Sequence, residues 1–174
     1  MAALPTLALD PRPSTLEDEV VGLFDVLRAP LLRYRAGLGV PPADGEEVVQ
    51  ETFLALFQHL RRGGERANLR GWIFRVAHNL GLKRRGWNLR RVTVAWEFLR
   101  DAAPGPEERF FLNERERRVE AVMHALPEQD RRCLLLRAEG LRYREIAAAL
   151  TMSLGAVSIS VARSLARIAR VVER

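Results

Sequence analysis

Apolar residues recur every three or four positions along most of the chain, which is the spacing of amphipathic α-helices. The clearest example is the segment 46–62, whose apolar side chains form a single stripe made of Val48, Val49, Thr52, Phe53, Leu56, Phe57 and Leu60. No segment requires a strand, so the pattern predicts an all-α fold. We expect helices at about 16–35, 46–62, 69–85, 107–125, 127–139, 142–150 and 154–172.

Residues that begin or end helices separate these segments. Asp44, Asn68 and Ser153 are the expected N-caps, and Gly63-Gly64 ends a helix. We expect Pro30 to bend or interrupt the first helix. Proline-rich stretches near the start and around 104–106 divide the chain. The predicted organisation is a flexible tail (1–15), a helical domain (16–90), a flexible linker (91–107) and a second helical domain (108–174).

The last 33 residues begin with a helix-turn-helix pattern. A short helix at 142–150 is followed by the turn Thr151-Met152-Ser153 and a longer helix at 154–172. In such a unit the second helix enters the DNA major groove, and residues near its start contact base edges. An ordinary helical hairpin is the alternative. The expected buried line of the second helix is Val157, Val161, Leu165 and Ile168.

Charge supports a polyanionic partner. The net charge of +6 is unevenly distributed, since residues 61–100 hold eleven basic and two acidic side chains and residues 141–174 hold six and two. Two basic blocks indicate two contacts with nucleic acid; two solvated helix faces are the alternative. The single cysteine, Cys133, excludes an internal disulfide. The absence of a long apolar run and of a secretory signal predicts a cytoplasmic protein without membrane insertion.

No enzyme site emerges from the sequence. The three histidines, at 59, 78 and 124, are scattered and lack metal-binding spacing, and no glycine loop for phosphate is present. Cys133 is expected in the core of the second domain. We therefore expect no catalytic residues, no metal and no cofactor.

Three motifs resemble those of bacterial sigma factors. Residues 44–57, D-G-E-E-V-V-Q-E-T-F-L-A-L-F, resemble region 2.2, residues 69–82 resemble regions 2.3 and 2.4, and residues 126–170 resemble region 4. Their order and spacing are similar to those of the small extracytoplasmic-function (ECF) subfamily of the sigma-70 family. The resemblance implies a region 2 bundle, a region 4 helix-turn-helix and a non-catalytic subunit that binds core RNA polymerase, recognises promoter DNA and helps to open the −10 element. Most small sigma factors are also held inactive by an anti-sigma factor.

The resemblance assigns residues to three surfaces. The surface for the clamp helices of the largest polymerase subunit comprises Glu47, Gln50 and Glu51. The −10 element surface comprises Arg75, Asn79, Lys83, Arg84 and Arg85. The −35 element surface comprises Arg142, Arg144, Ser158, Ile159, Ala162, Arg163 and Arg167.

The chain departs from the family pattern in its last helix. Three positions that are commonly basic hold Ser158, Ser160 and Leu165, and Thr151 replaces a usual glycine. An acid also often stands where this chain has Lys83. One interpretation is a −35 contact with few charges, in which Ile159 or Ala162 touches thymine methyls. Another is weak DNA binding, which suggests a sigma-like decoy that binds an anti-sigma regulator. An ordinary repressor or activator would leave residues 44–85 unexplained.

Overall fold

The computed structural model describes residues 15–83 and 106–172, which form seven helices. No strand lies in these two ranges, so the all-α prediction is confirmed for them. Residues 1–14 of the predicted tail, residues 84–90 of the predicted first domain, among them Arg84 and Arg85, and residues 91–105 of the predicted linker lie outside the described residues. The helices are α1 Leu16–Gly37, α2 Pro42–Arg61, α3 Leu69–Lys83, α4 Pro106–Ala125, α5 Glu128–Ala138, α6 Tyr143–Leu150 and α7 Leu154–Val172.

Most helix ends follow the sequence signals. The Asn68 side chain accepts the Gly71 amide at 3.0 Å, and the Ser153 hydroxyl accepts the Ala156 amide at 3.2 Å, so both predicted caps are confirmed. The Asp44 prediction is wrong, because α2 already begins at Pro42. Proline at the first helical position has a suitable φ and needs no N–H partner. Helix α1 continues through Pro30 without ending there.

One apolar core runs through both halves of the chain. Helices α1, α2 and α3 pack together, and α3 also packs against α6 of the second half. Gly37 at the end of α1 lies so close to α5 that a Cβ there would approach Leu135 Cδ2 to 2.7 Å. A smaller cluster around Met123, Leu126 and Leu134 holds α4 against α5 and α7. The predicted helices therefore meet in one continuous packing arrangement.

Polar contacts reinforce the junction between the halves. Arg33 on α1 donates from Nε and Nη2 to the two carboxylate oxygens of Glu139, at 3.1 and 2.8 Å. Arg70 on α3 donates to the Glu139 backbone carbonyl. Glu139 follows α5, and its side chain is only 11% exposed. One acidic residue thus connects α1 and α3 to the second half of the chain.

A buried polar pair lies beside this junction. Tyr34 and His78 are almost completely buried, and the Tyr34 hydroxyl lies 2.8 Å from His78 Nδ1. Burial, together with the nearby Arg132 and Arg35 guanidinium groups, lowers the pKa of His78 to about 4. Burial raises the pKa of the Tyr34 hydroxyl. Both groups are therefore neutral in the folded protein near pH 7.

Within the described residues, no single helix has the length and apolar character needed to cross a membrane. Helices α6 and α7 reach that length and apolar character only when they are taken together, and they meet at a bend of 107°.

We expect the Glu139→Gln substitution to lower the free energy of unfolding by roughly 1–3 kcal/mol, because it removes a charge-assisted contact of a nearly buried carboxylate. Urea unfolding measures the change. Glu114→Gln is the matched control, since Glu114 and its partner Arg118 are both about half exposed and such pairs contribute little. Equal effects of the two substitutions would contradict the importance of the Glu139 contacts.

We expect acid to destabilise the protein through His78. The pKa of His78 is about 4 in the folded state and 6.5 in its ordinary range, so the unfolded chain binds the proton first. Stability is then full above about pH 6.5 and falls by roughly 3 kcal/mol as pH drops towards 4. Urea unfolding across this pH range measures the fall. His78→Gln should reduce the slope and the exposed His124→Gln should keep it; an unchanged slope in His78→Gln would exclude His78 as the cause.

Candidate nucleic-acid interface

Helices α6 and α7 form the predicted helix-turn-helix. They meet at 107° and are joined by Thr151, Met152 and Ser153. The turn is closed by hydrogen bonds to the end of α6, including one from the Met152 amide to the Ala147 carbonyl at 2.9 Å. Thr151 has φ 55° and ψ 47°, the left-handed conformation expected if it occupies a glycine position. It is the only described non-glycine residue with positive φ, so the turn carries backbone strain.

The buried side of α7 differs from the prediction at one position. Val157, Val161 and the serines Ser160 and Ser164 are buried, whereas Leu165 is 52% exposed. The prediction for Leu165 is wrong because the buried line continues from Val161 by three residues to Ser164. Serine is small enough to let α5 approach, and the Ser164 hydroxyl donates to the Ser160 carbonyl at 2.8 Å. Ile168 packs at the edge of the small cluster with partial exposure.

The exposed side of α7 is almost uncharged near its start. Ser158, Ile159 and Ala162 are exposed, as the −35 assignment requires, and Ile159 is 63% exposed. Arg167 is half-buried further along the helix, next to a hollow lined by Val122 and Ala125 of α4. The assigned residues at 158, 159 and 162 therefore offer hydroxyl and apolar contacts to a partner, with no charge among them.

Positive charge lies at the start of α6. Arg142 and Arg144 are both exposed and line a shallow hollow of about 630 Å³ together with Tyr143, Leu154, Gly155 and Ser158. This hollow joins the first residues of both helices. A phosphate beside Arg142 or Arg144 would thus leave the start of α7 next to the neighbouring bases.

Arg163, the remaining residue of the assigned set, is tied to α5. Its Nε and Nη2 atoms donate to Asp130 Oδ2 and Oδ1 at 2.8 and 2.7 Å. The Ser160 hydroxyl donates to Asp130 Oδ1 at 2.7 Å. The hydrogen bond from Arg163 is the main cause that holds the pKa of Asp130 below its usual range. Sequence spacing gave no signal for this contact, because Asp130 precedes Arg163 by 33 residues.

Helix α3 presents a narrow polar strip. Arg75 and Asn79 are exposed one turn apart, as predicted for the −10 surface. Lys83 is the last residue of α3, and the other two assigned residues, Arg84 and Arg85, lie outside the described residues. Among the other described side chains of α3, Arg70 and Leu82 are also exposed, and the remainder are buried or half-buried. Phe74, which the sequence left unassigned, is fully buried, and Trp72 stacks on His59 with ring centroids 4.7 Å apart.

Helix α2 presents a different exposed face. Glu47, Gln50 and Glu51 are exposed on the side opposite the buried stripe, as predicted. Leu54 follows on the same face and is 59% exposed, which the sequence analysis did not single out. The sequence signal for the exposure of Leu54 was its position outside the apolar stripe of α2. The face therefore combines acidic and amide groups with one exposed leucine.

Among the described residues, no three His, Cys, Asp or Glu side chains lie close enough together to hold a metal ion. Cys133 is buried in the core, as predicted, with its sulfur 3.6 Å from the Met152 sulfur. Burial raises the pKa of the Cys133 thiol, so the thiolate form is disfavoured.

Comparison with known protein families gives two matches in the expected order. The model described as Sigma-70 region 2 matches residues 23–87, and the model described as Sigma-70, region 4 matches residues 116–168. The first match covers α2 and α3, and the second covers the helix-turn-helix and α5. The first match contains the motifs at 44–57 and 69–82, and the second contains residues 126–168 of the third motif.

Individual proteins agree with these matches. The chain is 32% identical over 120 residues to the ECF RNA polymerase sigma factor SigE of Mycolicibacterium smegmatis, covering 66% of this chain and 46% of that protein. It is 29% identical over 133 residues to the probable RNA polymerase sigma factor RfaY of Xanthomonas campestris pv. campestris, covering 72% and 33%. The alignments thus span less than half of either relative.

A solved structure shares the fold. CnrH, in its complex with the cytosolic domain of CnrY, superposes with a TM-score of 0.59 and 23% sequence identity, covering 90% of this chain and 89% of that one. The likeness extends over both halves of the chain.

We expect Thr151→Gly to stabilise the protein by roughly 1 kcal/mol, because glycine adopts positive φ without the Cβ penalty, at a smaller entropic cost. Thermal unfolding of the full chain measures the gain. Ser153→Gly is the control, since it also introduces glycine into the turn but removes the cap of α7 and should destabilise. A loss of stability in Thr151→Gly would show that the threonine conformation is not strained.

Proposed function

Because the chain belongs to the ECF group of the sigma-70 family of RNA polymerase sigma factors, we propose that it binds core RNA polymerase and directs promoter recognition and transcription initiation. The observation that carries this proposal is the combination, in one chain, of an exposed acidic face on α2 and a helix-turn-helix with basic residues at its start. A protein that only bound DNA would not need the first surface. Both proposed partners place its action in the cytoplasm.

The proposed polymerase contact is the α2 face. Glu47, Gln50 and Glu51 would bind the clamp helices of the largest subunit, with Leu54 packing against an apolar position there. The helix is well placed for this role, since its opposite side is anchored in the core by Val48, Val49 and Leu56. A rigid helix loses little entropy when its exposed side is covered.

The proposed DNA contacts divide between the two halves. Arg75, Asn79 and Lys83, followed in the chain by Arg84 and Arg85, would contact the −10 element. In the second half, Arg142 and Arg144 would hold phosphates while Ser158, Ile159 and Ala162 meet base edges, with Arg163 and Arg167 further along α7. The two basic stretches of the sequence, residues 61–100 and 141–174, support this arrangement.

A second candidate function is a sigma-like decoy that binds an anti-sigma regulator without starting transcription. The low charge of the exposed side of α7 favours it. The solved structure of CnrH in complex with the cytosolic domain of CnrY supports a protein regulator as a partner for this fold. The exposed face of α2 favours the initiating factor, because a decoy has no need to bind polymerase.

The deciding experiment is in vitro transcription with purified core polymerase and fragmented genomic DNA of the source organism. We expect transcript starts that appear only with the protein and share spaced upstream elements. The triple variant Glu47→Ala, Gln50→Ala, Glu51→Ala should lose these starts and bind core polymerase at least tenfold more weakly. A tenfold weakening corresponds to about 1.4 kcal/mol, which the loss of one central contact residue of an interface can supply.

The matched control is the double variant Glu17→Ala, Asp25→Ala, which removes the same charge from exposed positions of α1. It should keep both polymerase binding and transcript starts. Absence of polymerase binding and of new starts with the unaltered protein would overturn the proposal and favour the decoy.

A further inference from the structure

The Asp130 carboxylate is the most completely satisfied polar group between α5 and α7. It lies in the first turn of α5 and is 1% exposed. It accepts three hydrogen bonds, all from α7: one from the Ser160 hydroxyl and two from Arg163. A buried carboxylate is stable only when its oxygens are hydrogen-bonded. Asp130 therefore constrains the Arg163 side chain as strongly as it constrains the packing of the two helices.

This pairing leaves a defined part of Arg163 exposed. A guanidinium group has five N–H donors. Asp130 uses Nε–H and one hydrogen of Nη2, so two hydrogens on Nη1 and one on Nη2 remain on the outer edge. The Arg163 side chain is 50% exposed, and the adjacent Ala162 is exposed and short. The outer edge of Arg163 is thus a two-nitrogen fork held in a fixed plane on the exposed side of α7.

The pairing also changes what Arg163 can bind well. With a carboxylate at 2.7 Å, the pair carries almost no net charge, which weakens its attraction for a phosphate. Its hydrogen-bond geometry is retained. Two donors in one plane match the O6 and N7 acceptors of guanine in the major groove. A neutral base edge suits the paired arginine better than an anion does.

We propose that Asp130 is a positioning residue for promoter recognition, which holds Arg163 so that its outer fork contacts a guanine of the upstream element. The inference rests on the proposed function, since it concerns the DNA that α7 meets. It explains how a recognition helix with few charges selects a sequence. Affinity then comes from other cations, and Arg163 contributes selectivity.

The test is selection of duplexes from a pool with a randomised upstream element, using the full chain bound to core polymerase. With the unaltered protein, we expect one position at which guanine is strongly preferred. Asp130→Asn places an amide N–H opposite Arg163 Nε–H and releases the side chain. The guanine preference should then fall about tenfold. Meanwhile the affinity for all duplexes rises and the slope of log K against log salt steepens by about 0.9, because a free cation now reaches phosphates.

A second variant covers the case in which Asp130→Asn does not fold. Arg163→Lys keeps the charge and a salt bridge to Asp130 but lacks the planar fork. It should lose the guanine preference to a similar extent while the salt slope changes little. A role for Asp130 in stability alone would leave base preference and salt slope unchanged in Asp130→Asn.

Two controls separate the effects of charge and packing. Glu128→Gln changes the charge of α5 by the same amount as Asp130→Asn, but it alters a contact with Arg132. The guanine preference and the salt slope should therefore stay as in the unaltered protein. Ser160→Ala removes one partner of Asp130 and leaves both bonds from Arg163, so the guanine preference should persist. Retention of the guanine preference in Asp130→Asn, or in Arg163→Lys, would overturn the inference, as would a selected pool without a preferred guanine.

The result of the duplex selection can be distinguished from the result of the transcription assay that tests the proposed function. The transcription assay uses substitutions on α2 that leave Asp130 and Arg163 intact. New transcript starts without a guanine dependent on Arg163 would overturn the inference alone. Absence of new starts would overturn the proposed function as well.

Discussion

The burial of α3 on two sides is the constraint on which the rest of the described structure depends. Helix α3 packs against α2 within the first half and against α6 of the second half. Ile73, Phe74 and Ala77 are consequently fully buried, and the side of α3 that contains Arg75 and Asn79 is exposed. A helix with so little free surface cannot slide or rotate without breaking the core. The buried side of α3 therefore fixes the position of the polar strip proposed for the −10 element.

The polar groups that this packing buries determine how the helices are arranged relative to one another. Glu139 is held by Arg33 and Arg70, Tyr34 pairs with His78, and Asp130 is surrounded by donors from α7. Apolar contacts alone would tolerate small shifts between helices, whereas these hydrogen bonds are satisfied in one arrangement only. The junction between the halves therefore has a defined geometry, and the helix-turn-helix has a defined orientation on α5.

Local patterns in the sequence were sufficient for the helices, most of their ends and the exposed faces of α2 and α3. These features depend on residues within four positions of each other, which periodicity and capping rules describe. The errors at Asp44 and Leu165 are also local: one came from two consecutive prolines, the other from small serines that take buried positions. The contacts of Asp130 and Glu139 were not predictable, since their partners lie 33 and 106 residues away. Packing between distant helices, which periodicity does not encode, brings them together.

The departures of α7 from the family pattern now have a consistent physical account. Charge that is absent from residues 154–162 of α7 is present at the start of α6, where Arg142 and Arg144 are exposed. Phosphate contacts from there would supply affinity that depends on salt but not on sequence. The exposed residues of α7 are short or apolar, and the guanidinium of Arg163 is paired and oriented by Asp130. Such a helix adds little to nonspecific binding. In a genome with very many competing sites, a low nonspecific affinity raises the fraction of bound molecules that occupy the correct sequence. Loss of positive charge from a recognition helix can therefore favour selective recognition, provided that the remaining donors are held rigidly.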